Sequence, residues 1–248
     1  PSQRRGTHMP DMSSRSSVSP PPRLRPEQAE PIELERTVDT ITLGDVTVTR
    51  VREYYGPVGL TPEAFVPESP AQAWENHRSW LVPDFLDAET NIVNSAIQTW
   101  VLRSEGKTIL VDTGVGNHKD RPYAPVWNRL NTDFLGNLAR AGGVRPPEDV
   151  DIVINTHLHV DHVGWNTCLD GRSWVPTFPP NATYLMAKAD FDYWNPANEI
   201  KTLLGRGNQN VFEDSVAPPV HEAGLTHLWE GSYQIDGNLR LDLAPRPH

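Results

Sequence analysis

The chain has 248 residues, enough for one large domain or two small ones with a sizeable buried core, so a short disulfide-stapled module is excluded. Its formal charge of −10, from 22 Lys and Arg against 32 Asp and Glu, repels a nucleic-acid backbone and leaves a small-molecule substrate as the expected partner. The lone cysteine, Cys168, precludes an intrachain disulfide and fits a reducing, cytoplasmic setting. The apolar runs, such as 109–111 and 152–154, fall far short of the roughly 20 residues of a membrane span, so no membrane partner is expected either.

Proline accounts for 24 residues, close to twice the usual share of about 5%. Seven of the prolines lie within residues 1–40, with a run of serines and Pro20-Pro21-Pro22. This composition buries too little apolar surface to offset chain entropy and predicts a disordered tail over about 1–36. The tail carries arginines at 4, 5, 15, 23 and 25 but no apolar h-region, which argues against a secretory signal. The folded domain is expected over 37–248.

From Val38, the residues Ile41, Val46, Val48 and Val51 alternate with polar ones across Gly44-Asp45, the pattern of two strands joined by a tight turn. Residues 56–94, with prolines and aromatics, read as a long loop region. A second strand pair is predicted over 96–102 and 108–111 across Ser104-Glu105-Gly106, running into Asp112-Thr113-Gly114. Trp127, Leu130, Phe134, Leu135 and Leu138 recur at helical spacing before Gly142-Gly143, which predicts a helix over about 125–141. Residues 151–155 form a short apolar strand, and the strand, helix, strand order implies adjacent parallel strands. Beyond it, 182–186 reads as a strand, 188–194 and 197–205 as short helices, and 233–243 as a hairpin turning at Asp236-Gly237-Asn238. The fold class is α/β.

The chemistry concentrates in Thr156-His157-Leu158-His159-Val160-Asp161-His162-Val163-Gly164, directly after the strand 151–155. Imidazole nitrogen and carboxylate oxygen are ligands that zinc accepts at about 2.0–2.2 Å, and residues leaving a rigid strand end can converge on one point. The spacing sorts them into two groups, His157 with His159 and Asp161 with His162.

On these residues, together with Asp112-Thr113-Gly114 and Asp161-His162-Val163-Gly164, the chain resembles the metallo-β-lactamase-fold hydrolase superfamily from about Ile41 onward. Within it the chain is most similar to the lactonase and organophosphate-hydrolase-like branch, on the aromatic segment before Asp112 and on Phe178-Pro179-Pro180-Asn181-Ala182. The resemblance implies an αβ/βα sandwich with a two-zinc site at one edge. It implies that His157 and His159 bind the first ion and Asp161 and His162 the second, and that Asp112 anchors the metal loop without touching metal. Two such ions activate a shared water and stabilise the oxyanion that develops. The implied activity is hydrolysis of an ester, lactone or phosphotriester by a metal-bridging hydroxide, with Asp161 orienting it or accepting a proton. A mononuclear-iron dioxygenase or a thioester hydrolase of the same superfamily is the alternative, as is an inactive remnant.

The family pattern also has a third histidine, an aspartate shared by both ions and a last histidine. The third histidine falls in a Gly-His-Thr-Pro-Gly turn after a strand like 239–245, where this chain reads Arg246-Pro247-His248. One inserted cytosine turns GGC CAC ACN into CGG CCA CAC, which is Arg-Pro-His. The expectation is therefore a sandwich lacking its C-terminal part beyond a frameshift after Pro245, and weak, substoichiometric metal binding.

Other side chains divide between functional and ordinary roles. His118 either faces the site or is a solvated loop residue. His221 and His227 have surface or turn roles. Trp165 is a pocket wall or a core residue, and Tyr54, Tyr55, Trp80 and Phe85 form an apolar pocket or simply pack. Cys168 has no adjacent base in sequence and is expected to be an inert thiol.

Overall fold

The computed structural model describes residues 40–145, 149–178, 182–198 and 208–244. The tail read over 1–36, the far part of the helix expected over 197–205 and Arg246-Pro247-His248 lie outside the described residues.

Two antiparallel pairs open the domain: β1 (Thr40–Leu43) with β2 (Val46–Pro57), and β3 (Asn94–Ser104) with β4 (Lys107–Val111). Strand β2 pairs with β3, so the four form one antiparallel run. The chain then makes β5 (Ile152–Asn155), a separate hairpin of β6 (Thr167–Asp170) and β7 (Ser173–Pro176), and the strands β8 (Thr183–Ala187) and β9 (Thr226–Trp229). Strands β5, β8 and β9 extend the sheet from β4 in parallel, giving seven strands in the order β1-β2-β3-β4-β5-β8-β9. The helices are α1 (Pro62–Phe65), α2 (Ala71–Leu81), α3 (Phe134–Gly142), α4 (Lys188–Trp194) and α5 (Val211–Ser215), the last followed by a π turn at Ala217–His221.

Strand alternation divides the core into two layers. Val51, Val101, Leu110, Val153, Tyr184 and Met186 point to one face and bury against Phe134 and Leu138 of α3, Phe191 and Trp194 of α4 and Val211 and Phe212 of α5. Ile109, Ile154, Leu185, Ala187 and Trp229 point to the other, where Tyr233, Ile235, Leu239 and Leu241 pack on them. Tyr233 and Leu241 lie on the terminal hairpin of β10 (Ser232–Gln234) and β11 (Arg240–Asp242). Among the described residues, this hairpin represents the second layer of the predicted sandwich. Burying each such side chain is worth about 1.5–3 kcal/mol, and a one-residue slip of β5 would exchange the two faces, so the register that delivers the motif is fixed by both layers.

Both strand pairs, the parallel crossover, β8, α4 and the last hairpin lie where the sequence predicts them. The helix expected over 125–141 is shorter. Pro125 opens an isolated 3-10 turn that ends at Trp127, and Arg129 takes a left-handed φ of 55°, so α3 starts only at Phe134. Its end is as read, with Gly143 at φ 60° as the left-handed stop. Residues 56–94 are not simply loop: they hold α1 and α2, and Leu81, Leu86 and Val93 bury with Val58 in a small satellite core. The β6–β7 hairpin and β9 were not anticipated, because four-residue strands such as Thr226–Trp229 carry too little alternation to register.

Candidate metal centre

The parallel neighbours β4 and β5 end side by side, with Val111 opposite Ile154, and their C-terminal ends deliver Asp112 and the motif to one edge of the sheet. Leu158, Val160 and Val163 are buried, while His157, His159, Asp161 and His162 between them stay half-exposed. The apolar residues thus pin a loop whose polar residues face outward. Two side chains clamp its centre: Asp190 of α4 accepts the Leu158 N–H at 2.6 Å, and Asn208 donates to the Leu158 carbonyl at 2.8 Å.

The donor atoms form two pairs. His157 Nε2 lies 3.1 Å from His159 Nδ1, and Asp161 Oδ2 lies 3.4 Å from His162 Nε2. The rings of His157 and His162 stand 3.9 Å apart between centroids, so the pairs are adjacent. Two donors each about 2.0–2.1 Å from a tetrahedral ion are separated by about 3.3 Å, so both spacings suit zinc. Among the described residues, no group of three or more His, Cys, Asp or Glu side chains is arranged to hold one ion. All four residues read from the sequence lie together at this edge, His157 touching both His159 and His162.

Asp112 organises both pairs. It adopts a left-handed φ of 57°, a conformation that costs a non-glycine residue roughly 1 kcal/mol, and the strained turn points its carboxylate back under the motif. One oxygen accepts the Thr156 N–H at 2.8 Å; the other lies 2.8 Å from both Thr156 Oγ1 and His162 Nδ1.

The electrostatics follow from this packing. Burial, reinforced by the neighbouring His162 and His159, lowers the His157 pKa to about 4 and keeps the imidazole neutral. Burial opposes charge on His162 as well, but hydrogen bonds to Asp112 and Asp161 push its pKa up to about 10. Burial opposes charge on Asp161, but its bond to His162 together with the neighbouring His162 and His159 charges holds it below the usual carboxylate range.

Several functional-looking residues escaped the sequence reading. Glu53, on β2, is buried beneath the site and accepts the Val115 N–H at 2.6 Å, the Gly116 N–H at 3.0 Å and the Trp165 indole N–H at 2.7 Å. Burial raises its pKa to about 7 despite these bonds. The signal was present: Glu53 lies two residues after Val51, on the face that alternation assigns to the core, where an acid needs a reason. A second buried cluster joins Arg121, bidentate to Asp214 at 2.6 and 2.9 Å, with Lys119, which bonds Thr167 Oγ1 and the Asp214 carbonyl under the Trp174 ring.

The remaining candidates take ordinary places. His118 is exposed. His221 and His227 are exposed too, with rings 4.7 Å from Phe191 and Tyr233 respectively. Trp165 is buried and stacked on Phe134 at 5.3 Å, so it is a core residue that also braces Glu53. The hydroxyls of Tyr54 and Tyr55 donate to the Pro57 and Asp84 carbonyls. Trp80 and Phe85 are 59% and 51% exposed and meet edge to face. Cys168 is half-buried on β6. No described helix is long and apolar enough to cross a membrane.

Among solved structures, the chain is similar to a probable metal-dependent hydrolase from Staphylococcus aureus (17% identity, covering 82% of this chain and 65% of that one, TM-score 0.62). It is also similar to the hydrolase AbOPH of the beta lactamase superfamily (23% identity, 78% and 62% covered, TM-score 0.57). A third is AidC, a dizinc quorum-quenching lactonase in complex with a product (18% identity, 79% and 62% covered, TM-score 0.53). At these identities the likeness establishes the fold, and the chain spans under two thirds of the length of these structures. No curated protein sequence matches it. The family model of the metallo-beta-lactamase superfamily matches residues 94–234, more than half of the chain and every residue of the motif, and the chain belongs to that superfamily.

Proposed function

We propose that the protein is a zinc-dependent hydrolase of esters, lactones or phosphotriesters. The observation that carries this reading is the pair of donor spacings, 3.1 Å for His157 and His159 and 3.4 Å for Asp161 and His162. Each pair offers the borderline nitrogen and oxygen donors that zinc prefers, at the separation its tetrahedral shell requires. His157 and His159 would hold one ion, Asp161 and His162 a second. When bound, zinc supplies Lewis acidity, polarising a carbonyl or phosphoryl oxygen and lowering the pKa of water towards neutrality.

The chain's own residues do the rest. Asp112 and Thr156 orient the imidazoles. Asp161, ionised at neutral pH, positions the attacking water and takes its proton on a carboxylate oxygen; the proton then passes to the leaving alkoxide or aryloxide. The charge of −10 disfavours polyanionic substrates and leaves neutral or mildly polar ones. AidC, described as a dizinc lactonase, is a relative in fold whose chemistry matches this class.

The test is a panel of aryl esters, acyl lactones, phosphotriesters and single-stranded RNA, offered to the zinc-loaded protein and to a His157→Ala, His159→Ala double variant. Turnover of one of the first three classes, lost in the variant, is expected. Cleavage of RNA alone, or turnover indifferent to the two histidines, would overturn the reading.

A further inference from the structure

Glu53 lies outside the motif, outside Asp112-Thr113-Gly114 and far from both in sequence, yet it is the buried group on which their supporting loops meet. The loop after β4 and the motif loop are zipped by three backbone bonds: Thr113 N–H to the His162 carbonyl at 2.7 Å, Gly164 N–H to the Gly114 carbonyl at 2.7 Å and Trp165 N–H to the Thr113 carbonyl at 2.9 Å. The zipper leaves the N–H groups of Val115 and Gly116 and the Trp165 indole to be satisfied, and all three end on the Glu53 carboxylate. The contact is tight. A Cβ on Gly114, which sits at φ +62°, would fall 2.1 Å from Glu53 Oε2, and one on Gly116, at φ +81°, would fall 2.7 Å from the Gly164 carbonyl carbon. On β2, Arg52 pairs with Gln98 and Tyr54 with Ile97, so Glu53 is the extra residue of a β-bulge, with no ladder partner opposite it.

We infer that Glu53 is a positioning residue of the metal centre: by accepting from Val115, Gly116 and Trp165 it sets the loop that carries Asp112 against the loop that carries Asp161 and His162. A carboxylate is required because donors converge on both oxygens, Val115 on Oε2 and Gly116 with Trp165 on Oε1. Glutamine has the same shape but one acceptor oxygen. In either orientation its amide hydrogens face an N–H, so a buried donor is left without an acceptor. Aspartate is one methylene too short for the same span.

This inference deepens the proposed function and rests on it only for metal. The experiment therefore compares wild type and Glu53→Gln twice, without metal and during zinc titration against a chromophoric chelator. Without metal, the variant is expected to keep the amide protection of β4, β5 and β8, to exchange the Val115 and Gly116 amides at least tenfold faster, and to shift the His162 Nδ1–H resonance that reports its bond to Asp112. Unchanged exchange at 115 and 116, or an unmoved His162 signal, overturns the inference whether or not the protein takes up zinc. In the titration, zinc affinity is expected to fall about tenfold; a loss under twofold also overturns it. Failure of wild type itself to bind zinc sinks the hydrolase reading, and the metal-free measurements then decide the role of Glu53 alone. Should Glu53→Gln not fold, Trp165→Phe removes one donor of the three; faster exchange at 115 and 116 with a moved His162 signal supports the inference, and their constancy refutes it.

Discussion

Asp112 reaches two histidines by two routes: Oδ2 lies 2.8 Å from His162 Nδ1, and through Thr156 Oγ1, also 2.8 Å away, it touches a hydroxyl that is 3.0 Å from His157 Nδ1. A carboxylate only accepts, so Thr156 turns its hydroxyl hydrogen to Asp112 and its lone pairs to His157. His157 then carries hydrogen on Nδ1 and presents a lone pair on Nε2, while His162 keeps its Nδ1 hydrogen on Asp112 and offers an Nε2 lone pair once its Nε2 proton, held towards Asp161, is lost. The substitution Asp112→Asn reverses this, because the amide can donate to Nδ1 and drive hydrogen onto Nε2. Zinc affinity is expected to fall roughly 10–100-fold, read by chelator competition. Thr156→Val, which cuts only the His157 branch, should weaken the site less than Asp112→Asn; the opposite ranking would contradict the relay.

Zinc uptake itself separates the motif from the other histidines. The double variant His157→Ala, His159→Ala should lose most of the zinc that wild type takes up at a fixed added concentration, whereas His221→Ala and His227→Ala should lose none, since both side chains are exposed and lie against an aromatic ring away from the motif. Elemental analysis of the purified proteins decides it. The described residues place two donors at each position and a catalytic zinc takes three protein ligands, so the described donors alone give weak binding that rises with added zinc.

The sequence made the centre of the site legible because its residues are local. His157 to His162 follow directly on one short apolar strand, Ile152-Val153-Ile154, that is buried on both faces. Asp112 was singled out by family resemblance, as the Asp-Thr-Gly that closes a strand, and the parallel pairing of β4 with β5 brings it beside the motif. What escaped was held by contacts distant in sequence. Glu53 serves loops 62 and 63 residues away, and Asp190 and Asn208 clamp Leu158 from beyond the next strand. Periodicity reports which face a residue occupies, not what it meets there. The helix over 125–141 failed for a local reason: the apolar spacing of Trp127 and Leu130 continues that of Phe134, but a proline-opened turn and the left-handed Arg129 intervene.

Buried charge makes stability depend on pH through Lys119. Its ammonium is fully buried, and burial lowers its pKa to about 7 although Asp214 pulls the other way. The unfolded chain holds this proton up to about pH 10.4 while the folded chain releases it near 7, so between those values the unfolded state binds more protons. Stability from this group therefore rises with pH across that window and is lowest below 7. Lys119→Met keeps the length of the side chain and removes the titration. Relative to this variant, wild type should gain on the order of 1 kcal/mol between pH 7 and 9, measured by urea unfolding at each pH. A constant difference would show that Lys119 is not released there.

The sharpest steric prediction concerns Gly164. Its N–H bonds the Gly114 carbonyl at 2.7 Å, which draws the motif's downstream turn directly onto the loop after β4. A Cβ added there would fall 1.8 Å from the Val115 carbonyl oxygen and 2.4 Å from the Gly116 nitrogen. Both obstacles are backbone, so no side chain can swing aside, and both belong to residues whose N–H groups are tied to Glu53. Overpacking of a rigid core costs about 1–3 kcal/mol, more where nothing can yield; Gly164→Ala should lie at or above the top of that range and loosen the zipper that sets Asp112 against His162. Gly171 provides the control. It takes a left-handed φ of +61° in the β6–β7 turn, with open space where a methyl would go, so Gly171→Ala meets only the backbone penalty of roughly 1–2 kcal/mol. Urea unfolding of the two variants, with zinc affinity measured on each, separates these costs. Gly164→Ala should be the less stable protein and alone should lose metal affinity. Equal stabilities with equal zinc binding would mean that the two loops are not locked as their backbone contacts indicate.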